Sequence, residues 1–169
     1  MIETARLRLR PMVAGDAEPL LALFGDARFM AAFDAAPFDR AAMDRWVARN
    51  LAHQREHGYG LFAIERRSDG AVVGDCGLEH VEIGVELGYD LHPDLWGHGY
   101  ATEAAAAVRD FAFGELGTER LISLIRVGNE RSRRVAEKIG MHPGREIERG
   151  RARYWLYELV KAASPRPSA

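Results

Sequence analysis

The sequence predicts a single mixed α/β domain, in which one β-sheet carries the helices, and two observations support this fold class. Its 169 residues, 47% of them apolar, are enough to bury one hydrophobic core and do not require a second domain. Segments with the period-two pattern of strands alternate along the chain with segments of helical period, and neither a repeat nor a linker separates them. We therefore expect all the elements to belong to one mixed sheet and its helices.

The first third of the chain predicts one strand followed by two helices. Apolar residues alternate with arginines over residues 7–12, which is the pattern of a strand with one buried face. Asp16 is the expected N-cap of the first helix, which ends at Gly25. A loop rich in Ala, Asp and Phe follows, and Asp39 is the expected N-cap of a second helix that ends at Gly58.

The rest of the chain predicts a hairpin and then an alternation of strands and helices. Residues 60–66 and the apolar run through Val72 and Leu78 are joined by a Ser-Asp-Gly turn, which is typical of a β-hairpin. The elements predicted beyond it are a strand at 83–91, a helix at 99–116, a strand at 121–127, a helix at 130–139 and a final strand at 154–160. We expect the domain to span residues 1–162 and residues 163–169 to form a flexible tail.

Composition and charge restrict the possible partners and the compartment. The net charge is −2 and the isoelectric point is about 6.3, which argues against nucleic acid as a partner. Cys76 is the single cysteine, so an internal disulfide and a cysteine metal cluster are excluded and a reducing compartment is favoured. The N-terminus has no apolar signal core, and no window has the length of a membrane span. We expect a cytoplasmic protein without a membrane partner, either a monomer or a homodimer.

Residues 85–104, VELGYDLHPDLWGHGYATEA, carry the most information about chemistry, because a strand runs through a glycine-bearing turn directly into a helix. Gly97 and Gly99 allow a ligand to approach the backbone, while the unpaired amides from His98 to Thr102 and the helix dipole favour a pyrophosphate. The sequence lacks the third glycine of a dinucleotide fingerprint and the Gly-Lys-Ser/Thr of a Walker A loop. By itself, the segment also fits an ordinary strand-to-helix turn.

Four blocks of sequence extend this observation over most of the chain, from about residue 4 to residue 159. They read TARLRLRPMVAGDAEPL, GAVVGDCGL, ELGYDLHPDLWGHGYATEA and NERSRRVAEKIGM. In this order they resemble the GNAT superfamily of N-acetyltransferases, and its RimJ/RimL type in particular. The coenzyme turn of the superfamily, Q/R-x-x-G-x-G/A, falls on Trp96, Gly99 and Ala101, and Trp96 departs from it as is common in the RimJ/RimL branch. The resemblance implies a mostly antiparallel central sheet, splayed at the coenzyme site, with about four helices.

The resemblance also implies acetyl-CoA as the cosubstrate, no metal, and direct acetyl transfer to an amine within a ternary complex. The pyrophosphate is expected on the amides from His98 to Thr102, and the pantetheine arm along the strand that ends near Leu91. Pro93 prevents regular pairing just beyond, which would leave backbone groups free to polarise the thioester carbonyl. The residues implied in coenzyme binding are Leu91, His92, Trp96, Gly97, His98, Gly99, Tyr100, Ala101, Thr102, Asn129, Ser132 and Arg134.

Proton transfer requires side chains near the thioester. Glu86, on the strand that leads to the coenzyme turn, is the first candidate for the general base, with Glu79 and Glu148 as further candidates. The alternative for Glu86 is a solvated or salt-bridged strand residue. Ser132 is the candidate proton donor to the departing thiolate, since the tyrosine that serves many other GNAT enzymes would fall at Ala136.

Three other interpretations remain open at the level of sequence. Asn129 and Ser132 also fit the N-cap and first turn of an ordinary helix. His53, Glu56 and His57 form the H-x-x-E-H motif of a zinc hydrolase, although no other part of the chain suggests the remaining ligands. The third interpretation is a non-catalytic acyl-CoA-binding module that senses the coenzyme or scaffolds a partner.

The outer parts of both substrates are expected to contact less characteristic segments. Arg134 is the arginine expected to reach the 3'-phosphate of the coenzyme, while Arg131 and Arg133 are expected on a solvated helix face. The RimJ/RimL resemblance points to a protein N-terminal α-amine as the acceptor, but the same branch includes enzymes that act on small amines. The loop at 29–38 and the segment at 142–153 are expected to determine which amine is used.

Overall fold

A computed structural model describes residues 1–162, which form one eight-stranded sheet with helices on both faces. The strands are β1 (Ile2–Glu3), β2 (Leu7–Pro11), β3 (Leu61–Arg66), β4 (Val72–Val81), β5 (Gly84–Leu91), β6 (Arg120–Arg126), β7 (His142–Arg149) and β8 (Ala152–Val160). The helices are α1 (Ala17–Phe24), α2 (Ala27–Met30), α3 (Arg40–His57), α4 (Tyr100–Gly114) and α5 (Glu130–Lys138). The predicted tail, residues 163–169, lies outside the described residues.

The sheet confirms the predicted mixed and mostly antiparallel architecture. Its strands follow the order β1-β2-β3-β4-β5-β6-β8-β7, and within residues 1–162 only β5 and β6 are parallel neighbours. Both strands that the sequence pattern missed lie at edges of the sheet. β1 has two residues, and β7 is exposed along almost its whole length, so neither shows the apolar alternation of a half-buried strand.

The predicted loop after α1 is wrong for residues 27–30, which form the short helix α2. Asp26 caps this helix by accepting a 2.7 Å hydrogen bond from the backbone N–H of Arg28. Phe29 and Met30 are buried on its inner side. The structure therefore has one helix more than expected, and this helix holds Phe29 in the core.

The two predicted N-caps have different outcomes. Asp39 caps α3 as expected, with a 2.7 Å hydrogen bond from the backbone N–H of Ala42. Asp16 precedes α1 but makes no cap bond to it. Its carboxylate instead accepts hydrogen bonds from the backbone N–H of Val13 and from the Arg10 guanidinium, at 2.6 to 2.8 Å. The bidentate, charge-assisted hydrogen bonds from Arg10 are stronger than a neutral cap bond, so they determine the orientation of the Asp16 side chain.

Two hydrophobic clusters cover the two faces of the sheet. One lies under α4 and α5, where small residues such as Ala104, Ala105 and Ala112 let α4 approach the strands closely. Cys76 is fully buried in this cluster. The other lies under α1, α2 and α3 and includes Phe29. No helix in residues 1–162 is long and apolar enough to cross a membrane.

The predicted splay of the sheet lies between β5 and β6. Their ladder contains two residue pairs, Val85 with Leu121 and Glu86 with Ile122. Just beyond, the Ser123 hydroxyl donates a 2.6 Å hydrogen bond to the Leu87 carbonyl, so a side chain replaces the next main-chain bond. The strands thus diverge well before Pro93, which corrects the expectation that the proline ends their pairing.

Candidate active site

A cavity of roughly 240 Å³ lies where the end of β5, the start of α4, the helix α5 and the segment that begins in α2 come together. Most of the residues predicted to bind the coenzyme line it, namely Leu91, Trp96, Gly97, Gly99, Tyr100, Ala101, Thr102, Asn129, Ser132 and Arg134. His92 and His98 do not line this cavity. His92 lines a second pocket beside α1, and the Nδ1 atom of the exposed His98 ring lies 2.9 Å from the Trp96 carbonyl oxygen.

The turn before α4 presents main-chain donors. Gly97 and Gly99 have φ angles of 81° and 79°, a left-handed conformation that L-amino acids rarely adopt. No protein atom crowds the position of a Cβ at Gly97, so backbone conformation is the reason for glycine there. None of the main-chain N–H groups from Gly97 to Thr102 donates a hydrogen bond to another group within residues 1–162. Free N–H groups at the positive end of a helix dipole are the features that favour binding of an anion.

An ion pair from the N-terminal segment holds this turn in place. The Arg6 guanidinium donates hydrogen bonds to the His98 carbonyl at 2.9 Å and to Glu103 at 2.7 Å. Thr4 and the Arg6 backbone N–H donate to the same carboxylate, at 2.7 and 2.8 Å. Burial raises the pKa of Glu103, but these hydrogen bonds outweigh burial and the pKa is lowered. Sequence analysis missed this anchor because 97 positions separate Arg6 from Glu103.

Trp96 links the turn to both neighbouring elements. Its indole N–H donates a 2.9 Å hydrogen bond to the Leu91 carbonyl at the end of β5. The Arg131 guanidinium lies 3.7 Å from the centre of the indole ring, a cation–π contact. Trp96 occupies the position where the superfamily motif has Gln or Arg, and it connects β5 with α5 across the cavity wall.

The cavity wall that α5 provides is basic. Arg131, Arg134 and Lys138 lie at helical spacing on one side of α5, and all three line the cavity. Arg131 is exposed to solvent, as expected, although it also lines the cavity. Arg133 is half-buried, forms a 2.6 Å ion pair with Glu130 and does not line the cavity.

Asn129 and Ser132 meet at the beginning of α5. The Asn129 side chain accepts a 3.2 Å hydrogen bond from the Ser132 backbone N–H, so it is an N-cap, and both residues line the cavity. Tyr89 of β5, which sequence analysis missed, donates a 2.7 Å hydrogen bond from its hydroxyl to the Ser132 carbonyl. Burial raises the pKa of Tyr89. Ala136, where many other GNAT enzymes have a tyrosine, is buried. The tyrosine beside this helix is Tyr89 of β5.

Glu86, the first candidate for the general base, does not line the cavity. Its carboxylate accepts a 3.2 Å hydrogen bond from the backbone N–H of Leu124, which bridges the gap between β5 and β6. Burial raises the pKa of Glu86, and the bond from Leu124 opposes this rise. Glu79 lies opposite it in the β4–β5 register, whereas Glu148 is on the exposed β7. The carboxylate that lines the cavity is Asp90, which sequence analysis did not identify.

The remaining side of the cavity is apolar. Phe29, Ala32 and Phe33 line it, so part of the predicted specificity loop at 29–38 reaches the site. Within the described residues, none from the segment 142–153 is part of the lining. A 3.2 Å ion pair between Asp34 and Arg126 ties the loop to the end of β6.

The H-x-x-E-H motif forms a histidine cluster away from the cavity. His53 accepts a 2.7 Å hydrogen bond at Nε2 from the backbone N–H of His80, and the rings of His57 and His80 stack with centres 4.8 Å apart. In residues 1–162 no three histidine, cysteine, aspartate or glutamate side chains are arranged to hold a metal ion. The zinc hydrolase interpretation therefore lacks its ligand set in the described part of the chain.

Comparison with known proteins agrees with this geometry. The acetyltransferase (GNAT) domain family matches residues 6–142. The uncharacterized protein YkkB of Bacillus subtilis is 35% identical over 160 residues, which cover 92% of each chain. A crystal structure of an acetyltransferase from Agrobacterium tumefaciens superposes with a TM-score of 0.83 at 29% identity, covering 95% of this chain and 94% of that one.

RimL, a ribosomal L7/L12 alpha-N-protein acetyltransferase solved in complex with coenzyme A, shares the fold. Its TM-score is 0.78 at 17% identity, and the match covers 93% of this chain and 95% of RimL. The match to the family over most of the chain is the stronger finding, because it joins the strand, the coenzyme turn and α5 in one alignment. This chain belongs to the GNAT acetyltransferase family and is an acetyl-CoA-dependent N-acetyltransferase.

Proposed function

We propose that this enzyme binds acetyl-CoA and a primary amine together and transfers the acetyl group directly between them. The main support for this proposal is the row of main-chain N–H groups from Gly97 to Thr102. They donate no hydrogen bond within residues 1–162, and they border a cavity with room for a second molecule. These groups bind the pyrophosphate of the coenzyme at the start of α4. Arg131, Arg134 and Lys138 add positive charge on the α5 side, where the remaining phosphate can bind.

The divergence of β5 from β6 supports the proposed chemistry. Beyond Glu86 the two strands make no further ladder pairs, so main-chain groups near the end of β5 can hydrogen-bond the pantetheine arm and the thioester oxygen. A main-chain donor aimed at the developing oxyanion is worth about 2.7–4 kcal/mol in well-studied hydrolases. The neutral amine nitrogen attacks the acetyl carbon and the carbon–sulfur bond breaks. The nitrogen releases its second proton to solvent, and the thiolate takes a proton from Ser132 or from solvent.

The attacking amine must first lose its proton, and Glu86 is the base that we propose for this step, acting through water. Burial raises the pKa of Glu86, which makes its carboxylate a stronger base. We expect Glu86→Gln to lower kcat by about 100-fold, since general-base catalysis contributes 10²–10⁴-fold. The matched control is Glu148→Gln on the exposed β7. Unchanged kcat in the Glu86 variant would show that its carboxylate serves only to bridge β5 and β6.

The acceptor that we propose is a protein N-terminal α-amine, by analogy with RimL, which is a ribosomal L7/L12 alpha-N-protein acetyltransferase. A small-molecule amine is the second candidate. The test is an acetyl-transfer screen with N-terminal peptides and small amines, in which thiol release is followed and mass spectrometry locates the acetyl group. Acetyl-CoA binding without thiol release across the panel would favour the sensor module instead.

A further inference from the structure

Asp75 is a buried carboxylate without a partner. It lies in the middle of β4 with 1% of its surface exposed, and neither of its carboxylate oxygens receives a hydrogen bond within residues 1–162. No lysine or arginine of that range forms an ion pair with it. A buried polar group without a hydrogen bond lowers the stability of the folded protein. The presence of such a group in β4 therefore suggests that it has a functional role.

Asp90 connects this carboxylate to the cavity. The antiparallel register of β4 and β5 pairs Asp75 directly with Asp90, so both side chains project from the same face of the sheet. Asp90 is partly exposed and lines the cavity. Because side chains alternate along a strand, Asp90 points away from its neighbours Tyr89 and Leu91, which pack on the core under α4 and α5. The face that it shares with Asp75 is the one under α1 to α3.

Neither carboxylate forms an ion pair with a lysine, arginine or histidine of residues 1–162. Burial, followed by the charge of Asp90, raises the pKa of Asp75. Burial, followed by the charge of Glu79, raises the pKa of Asp90 to about 7. Glu86 lies on the same face, so the charged neighbours from β4 and β5 are acidic as well. A positive group in the cavity beside Asp90 would relieve this repulsion.

The wall next to Asp90 is apolar. Phe29, Ala32 and Phe33 line the cavity on this side, and the rings of Phe29 and Phe33 lie with their centres 5.2 Å apart. A ligand that fits both features carries a cation at one end and an apolar group at the other. An amine acceptor has this form, since its nitrogen is protonated in water near neutral pH.

We propose that Asp90 binds the acceptor as a primary ammonium group, that Asp75 beneath it acts as a positioning residue, and that Phe29 and Phe33 hold an apolar stem of aromatic size. This inference rests on the proposed function and adds to it a class of substrate. It applies equally to a small arylalkylamine and to an N-terminal residue with an apolar side chain, because both present the same cation and stem.

The test compares two probes of the same shape, 2-phenylethylamine and 2-phenylethanol, of which only the first is charged. Their affinities are measured by calorimetry at pH 7 on enzyme saturated with coenzyme A, where no acetyl transfer can occur. We expect the amine to bind about tenfold or more tightly than the alcohol, and Asp90→Asn to remove this preference. Asp75→Asn should reduce the preference partly, Asp90→Glu should retain it, and the exposed control Asp110→Asn should leave it unchanged.

The outcomes separate this inference from the proposed function. Equal affinity of the two probes, no binding of the amine, or a preference that survives in Asp90→Asn would overturn the inference. Failure of the unmodified enzyme to bind coenzyme A would overturn the proposed function instead. A role of Asp75 in stability alone would not alter the ratio of the two affinities, so that ratio is the decisive measurement for the positioning role.

Discussion

The side of the cavity that we propose for the coenzyme (the coenzyme side) and the side that we propose for the acceptor (the acceptor side) are built on different principles. The coenzyme side consists of main-chain N–H groups from Gly97 to Thr102, held by the Arg6 ion pair with Glu103. The acceptor side consists of side chains from separate elements, among them Asp90 and Phe29, and its carboxylates have no cation within the described residues. A main-chain site is sensitive to backbone geometry, whereas a side-chain site is sensitive to residue identity. The three predictions below use this difference.

The largest effect is expected from Gly99→Glu. The substitution places a side chain on a residue whose φ of 79° is unfavourable for amino acids other than glycine. It also brings a carboxylate next to the proposed pyrophosphate site. Like charges held together cost several kcal/mol, so we expect acetyl-CoA affinity to fall by about 100-fold or more. Calorimetric titration with acetyl-CoA measures the change. Gly114→Glu, at the exposed other end of α4, is the control, and equal losses in both variants would contradict the assigned site.

A smaller effect is expected from Arg6→Ala, which tests whether the anchor fixes the turn. The variant loses the hydrogen bond to the His98 carbonyl and the ion pair with Glu103, so the N–H groups are held less rigidly. We expect the Kd for acetyl-CoA to rise by about tenfold, which is 1.4 kcal/mol. Arg8→Ala, two residues further along the chain and paired with Glu3, should stay within about twofold. Unchanged affinity in Arg6→Ala would mean that the turn keeps its conformation unaided.

The smallest effect concerns the acceptor side and is measured as stability. In the unfolded chain Asp75 loses its proton near the ordinary pKa of 3.8, but in the folded protein its pKa is raised, so folding becomes less favourable as pH increases above that value. Asp75→Asn lacks this penalty. We expect its Tm to exceed that of the unmodified protein by roughly 2–4 °C at pH 8, or about 1 kcal/mol, with a smaller difference at pH 5. A difference that shrinks as pH rises would show that the buried carboxylate has a partner.

The coenzyme side was largely predictable from the sequence because its parts are contiguous. Strand, glycine turn and helix follow one another over residues 85–104, and their order alone indicates an anion site. The N-cap at Asn129 and the basic residue Arg134 lie in one short segment as well. The anchor through Arg6 was not predictable, since nothing in the local pattern distinguishes this arginine from Arg8 or Arg10, which follow it at alternate positions.

The acceptor side was not predictable for a related reason. Asp75 and Asp90 meet through the register of two antiparallel strands, and a shift of one residue would place them on opposite faces. Glu86 was predicted as the general base because its strand leads to the coenzyme turn. Its carboxylate instead lies in the gap between β5 and β6, where it accepts a hydrogen bond from the Leu124 backbone N–H. Short elements such as α2 depend on a single cap at Asp26, which a composition rich in Ala and Phe does not reveal.

The short ladder between β5 and β6 gives the molecule a window through its sheet. The lining of the cavity includes Asp90 from one face of β5 and Tyr89 from the other, so the opening is accessible to residues on both faces. In the proposed ternary complex, the coenzyme and the amine approach this opening from opposite faces of the sheet.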